Sequence, residues 1–456
     1  MLSLRPALWL TPLSFFIASH ALSQGYYVDE QSALRLGDAF SAGAAAIDDA
    51  STAYYNPAAM LKVGNQWGFN ASVIHVRSDF DGMASTGDGS TAILGKPARA
   101  NNVDVLPTFY YVQQLNDNIA FGAFVNAPYA TGTNFGKQSV GRYHVTQSEI
   151  TGINTGLSMA LKANDKINLG ASLIIQYFDA NSDVAINTSA ICYGAEANGD
   201  LGPFSCNDLG IASTSLGSNK HDGLFVMRGK NTAIGFSAGA LIDITKQSRL
   251  GMSYRSRIVQ DLRGKASVTF PSSAAIFTGL ADLPNTTATG DVQMVIPESA
   301  NISYVHDFSN WGIQTDIGWT RWSRFQELAI QSSNTTITAL TEIPTDYQWD
   351  DSYRLALGGY YTLSPQITLR AGFAIDQTPI PDSKTKLDFP FDDYHALSMG
   401  MSYALNSSLT LDVGYQHTLQ QKRALDQNEL TSSGSRLNGN VTTTVHSLAL
   451  GVRRAF

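Results

Sequence analysis

Charge is scarce in this chain. Asp, Glu, Lys and Arg make up 15% of its 456 residues, against roughly 25% in soluble globular proteins. Long apolar runs are also missing. Beyond the N-terminus none approaches the about 20 residues that a spanning helix needs, which excludes a helical membrane protein. Basic clusters are absent and the net charge is −8, which counts against nucleic acid as a partner. Disorder is excluded by the opposite signal, since aromatics reach 10% with so few charges. No catalytic signature stands out. His20, His75, His144, His221, His306, His395, His417 and His446 are scattered along the sequence, and there is no nucleophile elbow, zinc-protease helix or phosphate loop. Asp48-Asp49 is explained by helix-end and turn hydrogen bonding, so neither an enzyme nor a cofactor or metal site is expected.

Cysteine is limited to Cys192 and Cys206. They lie close together in a Gly/Asn/Ser-rich stretch with too few neighbouring ligands for a metal, so one loop-closing disulfide is expected. That fits an exported chain. Arg5, the apolar stretch Ala7–Ala18 and the small residues Ala21-Leu22-Ser23 have the order of a secretory signal, placing residues 1–23 in a cleaved segment.

What is present is alternation. From residue 65 onward, segments of period 2 follow one another. In the clearest, Leu409, Leu411, Val413 and Tyr415 share one face and Thr410, Asp412, Gly414 and Gln416 the other. Candidate strands lie near 65–77, 104–114, 118–127, 149–163, 166–179, 231–243, 249–263, 290–306, 311–324, 349–363, 366–377, 394–404, 408–420 and 443–456. Many are longer than the about 5–6 residues of a soluble strand, and short turns alternate with long loops throughout. This rhythm predicts an all-β membrane protein, a 14-stranded antiparallel transmembrane β-barrel with short periplasmic turns. Phe456 closes an amphipathic last segment with Val452, Leu450 and Leu448.

Residues 24–64 differ. Ser32–Ala46 is Ala-rich and helix-compatible, and Asn56-Pro57-Ala58 supplies a capping residue followed by proline at the first helical position. A small helical plug in the lumen is expected, with a periplasmic tail as the alternative.

Ser41–Met60 (SAGAAAIDDASTAYYNPAAM) closely resembles the N-terminal hatch of the FadL-type outer-membrane transporters of long-chain fatty acids and hydrocarbons. Asp48, Asp49, Asn56, Pro57 and Ala58 carry the signature. The resemblance implies a hatch over residues 24–64, a barrel over 65–456, and passive uptake by loop capture, lumen binding and lateral release at a kinked third strand. Tyr26 would then sit at the lumen site, and Asn126, Pro128 and Tyr129 would border the lateral gap; a plain strand-end proline explains the same residues. Arg255, Arg257, Arg354 and Arg370 have lumen phase and suit a carboxylate, although Asp316, Asp376 and Asp412 share that phase and would pair with them. Phe225, Met227, Ile276, Phe277, Leu280 and Leu283 are apolar residues of long loops, suited to capturing a greasy molecule or to capping the barrel. The implied partners are a long-chain fatty acid or other hydrophobic small molecule, with outer-membrane lipid and lipopolysaccharide around a monomer. Aromatic or alkane hydrocarbons are the alternative cargo, and an adhesin or non-specific porin the alternative outside this class.

Overall fold

A computed structural model describes residues 25–341, 345–420, 422–425, 431 and 434–456; the proposed signal at 1–23 lies outside them. Fourteen staves follow in chain order: β1 (Gln66–Thr86), β2 (Arg99–Asn116), β3 (Ile119–Asn134), β4 (Gln147–Lys162), β5 (Ile167–Ile186), β6 (Gly223–Asp243), β7 (Ser248–Arg255 and Ile258–Thr269), β8 (Thr286–Ile296 and Ser299–Asp307), β9 (Trp311–Thr320), β10 (Ser352–Ser364), β11 (Ile367–Asp376), β12 (Tyr394–Ala404), β13 (Leu409–Gln420) and β14 (Ser435–Ala455). Each pairs antiparallel with the next, and β1 pairs with β14 from Gln66↔Ala455 to Thr86↔Ser435, closing the barrel.

The two faces invert the usual arrangement of a soluble protein. Leu157, Leu173, Leu397, Met399 and Leu450 point outward and are exposed, whereas Asn154, Ser158, Gln176, Asp316, Asp376 and Asp412 point inward and are buried. A lipid-facing exterior explains this pattern. Several staves run beyond the alternation that marks them. β1 continues past residue 77 and β6 begins at Gly223, because above the membrane both faces turn mixed and the period fades.

Residues 25–64 pack against the inward faces of the staves. They form α1 (Ala33–Leu36), α2 (Thr52–Tyr55), a 3-10 turn at Pro57–Ala59 and α3 (Met60–Val63). The helix suggested over 32–46 is a single turn. Ala39 and Phe40 both adopt positive φ, which ends any helix there. Asn56 caps the turn as its neighbours suggest, its side chain accepting from Ala58 N at 3.1 Å, while Asn56 Nδ2 donates to Ala44 O at 2.6 Å and Ala240 O at 3.0 Å. The seat is cut into the wall: a Cβ on Gly239 or Gly170 would overlap Asn56 or the backbone of Ala58.

Candidate functional site

Tyr26 lies inside a cage of rings. Its centroid is 4.6 Å from Trp322, 5.6 Å from Phe325, 6.0 Å from Trp349 and 6.1 Å from Tyr129, and its hydroxyl donates to Val295 O at 3.0 Å. Phe389 and Tyr347 extend the cage. These residues come from the loops before β10 and after β11, from β3 and from the N-terminus. Such a cage offers large apolar area with few rotamers to freeze.

Below it, Arg255 lines a cavity of about 60 Å³ together with Tyr27, Asp29, Tyr55 and Tyr129. Its guanidinium lies 4.0 Å from the centre of the Tyr54 ring and Nη2 donates to Tyr54 O at 3.3 Å. Among the described residues no carboxylate lies within 4.0 Å of it, and Nε has no hydrogen-bond partner. A cation held by aromatic faces, with a donor to spare, is an arrangement that accepts an anion.

The other three arginines differ. Arg354 is enclosed by Asp29 at 3.3 Å, Asp376 at 3.7 Å and Asp316 at 3.9 Å, and donates to Ala39 O at 2.6 Å. Arg370 donates to Ser402 at 2.6 Å and faces Asp48 at 3.5 Å. Both tie the N-terminal segment to the wall. Arg257, expected in the lumen, is exposed. The reason is a one-residue bulge: Ser237 faces Arg255 but Lys230 faces Arg263, so the register of β6 with β7 slips by one between them. A slip of one exchanges the faces, turning Arg257 outward and Ile258 inward.

Asp48 and Asp49 serve the N-terminal segment itself. Arg35 Nη2 reaches Asp48 at 2.8 Å, and Ser51 and Ser32 donate to Asp49 at 2.7 and 3.2 Å. Glu30 is buried, its carboxyl pushed up to about 7, first by burial and then by the neighbouring charge of Asp29; Ser447 donates to it at 2.8 Å.

The wall is interrupted at β3. β2 and β3 pair from Asn116↔Ile119 as far as Phe109↔Val125, after which β2 continues to Arg99 in register with β1, and Asn102 Nδ2 donates to Gly132 O of β3 at 3.4 Å. On its other side β3 carries a bulge between Asn126 and Tyr129. Pro128, which has no N–H to give, stands in that bulge. The N-terminal segment supplies the missing partners. Val28 N donates to Pro128 O at 2.8 Å, Gln31 Nε2 donates to Ala127 O at 3.0 Å, and Ala127 N donates to Gln31 Oε1 at 3.0 Å. Outside the break lies a hollow of about 700 Å³, lined by Phe69, Val105, Phe109, Val125, Asn126 and Ile153.

The apolar loop residues separate into groups. Phe225 and Met227 belong to β6 and not to a loop; they point inward and are buried with Ile186, Val268, Phe270 and Ile337. Ile276, Phe277 and Leu280 lie on one short helix, α5 (Ala275–Leu280), but do not share a face. Phe277 is buried against the Cys192–Cys206 disulfide, with Leu283 partly buried beside it. Ile276 and Leu280 are 65% and 48% exposed. Ile276 and Leu280 stand four apart and share the outer stripe, whereas Phe277, next to Ile276 in sequence, is turned by about 100° toward the disulfide. The Cys pair, 6.0 Å apart at Cα, joins α4 (Thr188–Asn198) to its following loop.

Tyr27, Tyr54 and Tyr55 around Arg255 and the tryptophans around Tyr26 carried no individual mark in the sequence. The available signal was aromatic density in the loop segments WTRWSRF and DYQWD.

The sequence pattern of the family described as "Outer membrane protein transport protein (OMPP1/FadL/TodX)" matches residues 14–456. The chain is 28% identical over 384 residues to a long-chain fatty acid transport protein of Escherichia coli O6:H1, covering 81% of each. It is 27% identical over 379 residues to the putative outer membrane protein NMB0088 of Neisseria meningitidis serogroup B, covering 80% of this chain and 79% of the relative. Among solved structures it is similar to a FadL homologue of Pseudomonas aeruginosa, with TM-score 0.83 and 24% identity over 95% of this chain and 100% of the other. It is also similar to the toluene transporter TodX of Pseudomonas putida, with TM-score 0.67 and 16% identity over 95% and 100%. The two structural likenesses establish the fold.

Proposed function

The chain belongs to the outer membrane protein transport family, and from that premise we propose that its cargo is a long-chain fatty acid read at the carboxylate by Arg255. As a member of that family it is an outer-membrane channel for hydrophobic compounds and not an enzyme. The observation that carries the finer reading is the half-buried Arg255, held against Tyr54 without a carboxylate of its own among the described residues. The relatives named as long-chain fatty acid transport proteins point the same way.

The route has three stages. The exposed Ile276 and Leu280 gather the acyl chain outside. The cage around Tyr26 then takes the chain while Arg255 takes the head, with Tyr26 and the N-terminal hatch moving aside. Finally the chain leaves sideways past Asn126, Pro128 and Tyr129 into the hollow outside β3, driven by transfer of apolar surface into lipid. No energy source is needed, and a single barrel suffices. The aromatic cage around Tyr26 favours, as a second reading, an aromatic or alkane hydrocarbon.

Arg255→Met tests the assignment. A hydrogen bond to a charged group contributes about 1.5–3 kcal/mol, so oleate binding should weaken by roughly 10- to 150-fold while binding of an uncharged hydrocarbon stays level. Undiminished oleate binding by the folded variant overturns it.

A further inference from the structure

Three of the histidines scattered in the sequence meet on the outside of the barrel. His75 of β1 is directly opposite His446 of β14, which is directly opposite His417 of β13. Their rings form a row across the closing seam, with centroids 6.3 Å apart for His75 and His446 and 4.5 Å for His446 and His417. His446 Nδ1 lies 2.9 Å from the Tyr415 hydroxyl and 3.2 Å from His417 Nδ1; His75 Nε2 lies 2.6 Å from Asn101 Oδ1. The row is ordered by these contacts, and all three rings are partly exposed.

The height of the row is given by its neighbours. One rung below, the outward residues are Val73, Leu448 and Tyr415; lower still come Leu450, Val413 and Phe69. One rung above stand Arg77 and Thr444, and above them Asp79, Arg99 and Thr442. The histidines therefore mark the extracellular edge of the apolar band. A polar side chain facing lipid costs little there and several kcal/mol at mid-depth, so position alone removes most of the penalty. It does not explain why three imidazoles are assembled side by side.

Charge supplies the reason. Arg77 and Arg99 are 59% and 67% exposed and share one carboxylate, Asp79, at 2.7 and 3.3 Å. One anion between two guanidiniums leaves a positive charge beside three imidazoles. Of the other titratable groups here, Tyr415 is held by its hydroxyl against His446 and His395 lies outward on β12 across Leu419. The edge of the band is also where headgroups of the outer leaflet lie, and their phosphates are the anions at that depth. We propose that His75, His417, His446, Arg77 and Arg99 form a docking site for the phosphate of an outer-leaflet lipid.

The test uses the refolded barrel in neutral detergent, with diphosphoryl lipid A, the same lipid stripped of phosphate, and inorganic phosphate alone. The first should bind most tightly. Replacing all three histidines (His75→Leu, His417→Leu, His446→Leu) installs the residue natural to a lipid-facing strand, so folding, read as heat-modifiable mobility, is retained. Each basic group near a charged lipid surface changes affinity by about fivefold, so the triple variant should lose at least that much. Arg77→Gln with Arg99→Gln, which leaves the imidazoles in place, should lose a similar factor. Equal binding of the phosphate-free lipid, unchanged affinity in both variants, or equally tight binding of inorganic phosphate would each overturn the proposal. So would abolition of binding by a chelator, since the imidazoles would then be holding a metal.

Discussion

Gln31 is where the lateral break in the wall is most open to perturbation. Its buried amide makes both hydrogen bonds that the ladder fails to give Ala127, donating to the carbonyl and accepting from the N–H, each at 3.0 Å; it also donates to Val28 O at 3.2 Å. Gln31→Leu keeps the volume and removes all three. Leaving one buried polar group unpaired costs about 1–3 kcal/mol, so orphaning the N–H and C=O of Ala127 amounts to roughly 2–6 kcal/mol against the closed arrangement. At about 1.4 kcal/mol per factor of ten, the lower end corresponds to roughly 30-fold more frequent opening. Hydrogen exchange by mass spectrometry on the refolded barrel reads this locally. Peptides spanning 124–130 should exchange at least 30-fold faster, while peptides from β10 to β12, on another part of the wall, stay unchanged. Uptake of fatty acid should rise or lose its lag. Unchanged exchange at 124–130 refutes the idea that the N-terminal segment latches the gap; uniformly faster exchange would mean that the whole fold has loosened instead.

Arg354→Met leaves Asp29, Asp316 and Asp376 buried without their shared cation, a loss of about 3–5 kcal/mol. Its heat-modifiability transition should fall well below wild type, and a transition within a degree or two would remove Arg354 from structural duty. Replacing Cys192 and Cys206 by Ser opens a closure of 14 residues, worth roughly 3 kcal/mol in chain entropy. Protease should then cut within 187–222 while the barrel stays folded; cleavage in the barrel itself would contradict the local role. Glu30 has its folded carboxyl raised to about 7 from 4.5. A raised carboxyl favours the folded state while both states are protonated and loses that advantage as pH climbs through 7. Thermal stability should therefore fall between pH 5 and 7, and Glu30→Gln should flatten that slope. A slope unchanged in Glu30→Gln would assign it to another group.

Much of the architecture was legible because two independent periods agree. Alternation located the staves, and the short-turn, long-loop rhythm fixed how they connect, so β11 (Ile367–Asp376) and β12 (Tyr394–Ala404) lie within a residue or so of where the pattern places them. Strand tops were less legible. Leu224–Met227 looked like exposed loop because alternation loses its meaning where both faces are wet or both are packed, as Phe225 is in the extracellular cap. The bulge near Ser256 left no trace, since one extra residue in a run of mixed polarity does not disturb a pattern already irregular; Arg257 was consequently assigned to the wrong face. The site posed a different difficulty. Asp48, Asn56 and Pro57 stand in one contiguous string, whereas Arg255 meets Tyr54, Tyr27 and Tyr129 only after segments 75 or more residues apart are folded together. Local pattern cannot register such a meeting. The histidine row escaped notice for the same reason.

The central claim is that this barrel reads a carboxylate on an otherwise apolar cargo. The most direct measurement is binding of oleate beside an uncharged hydrocarbon of similar length to the refolded wild-type barrel, repeated as the oleate carboxyl is protonated. A preference for oleate that fades on protonation is the predicted result. Equal or tighter binding of the hydrocarbon at every pH would contradict the account and return Arg255 to a structural role against Tyr54.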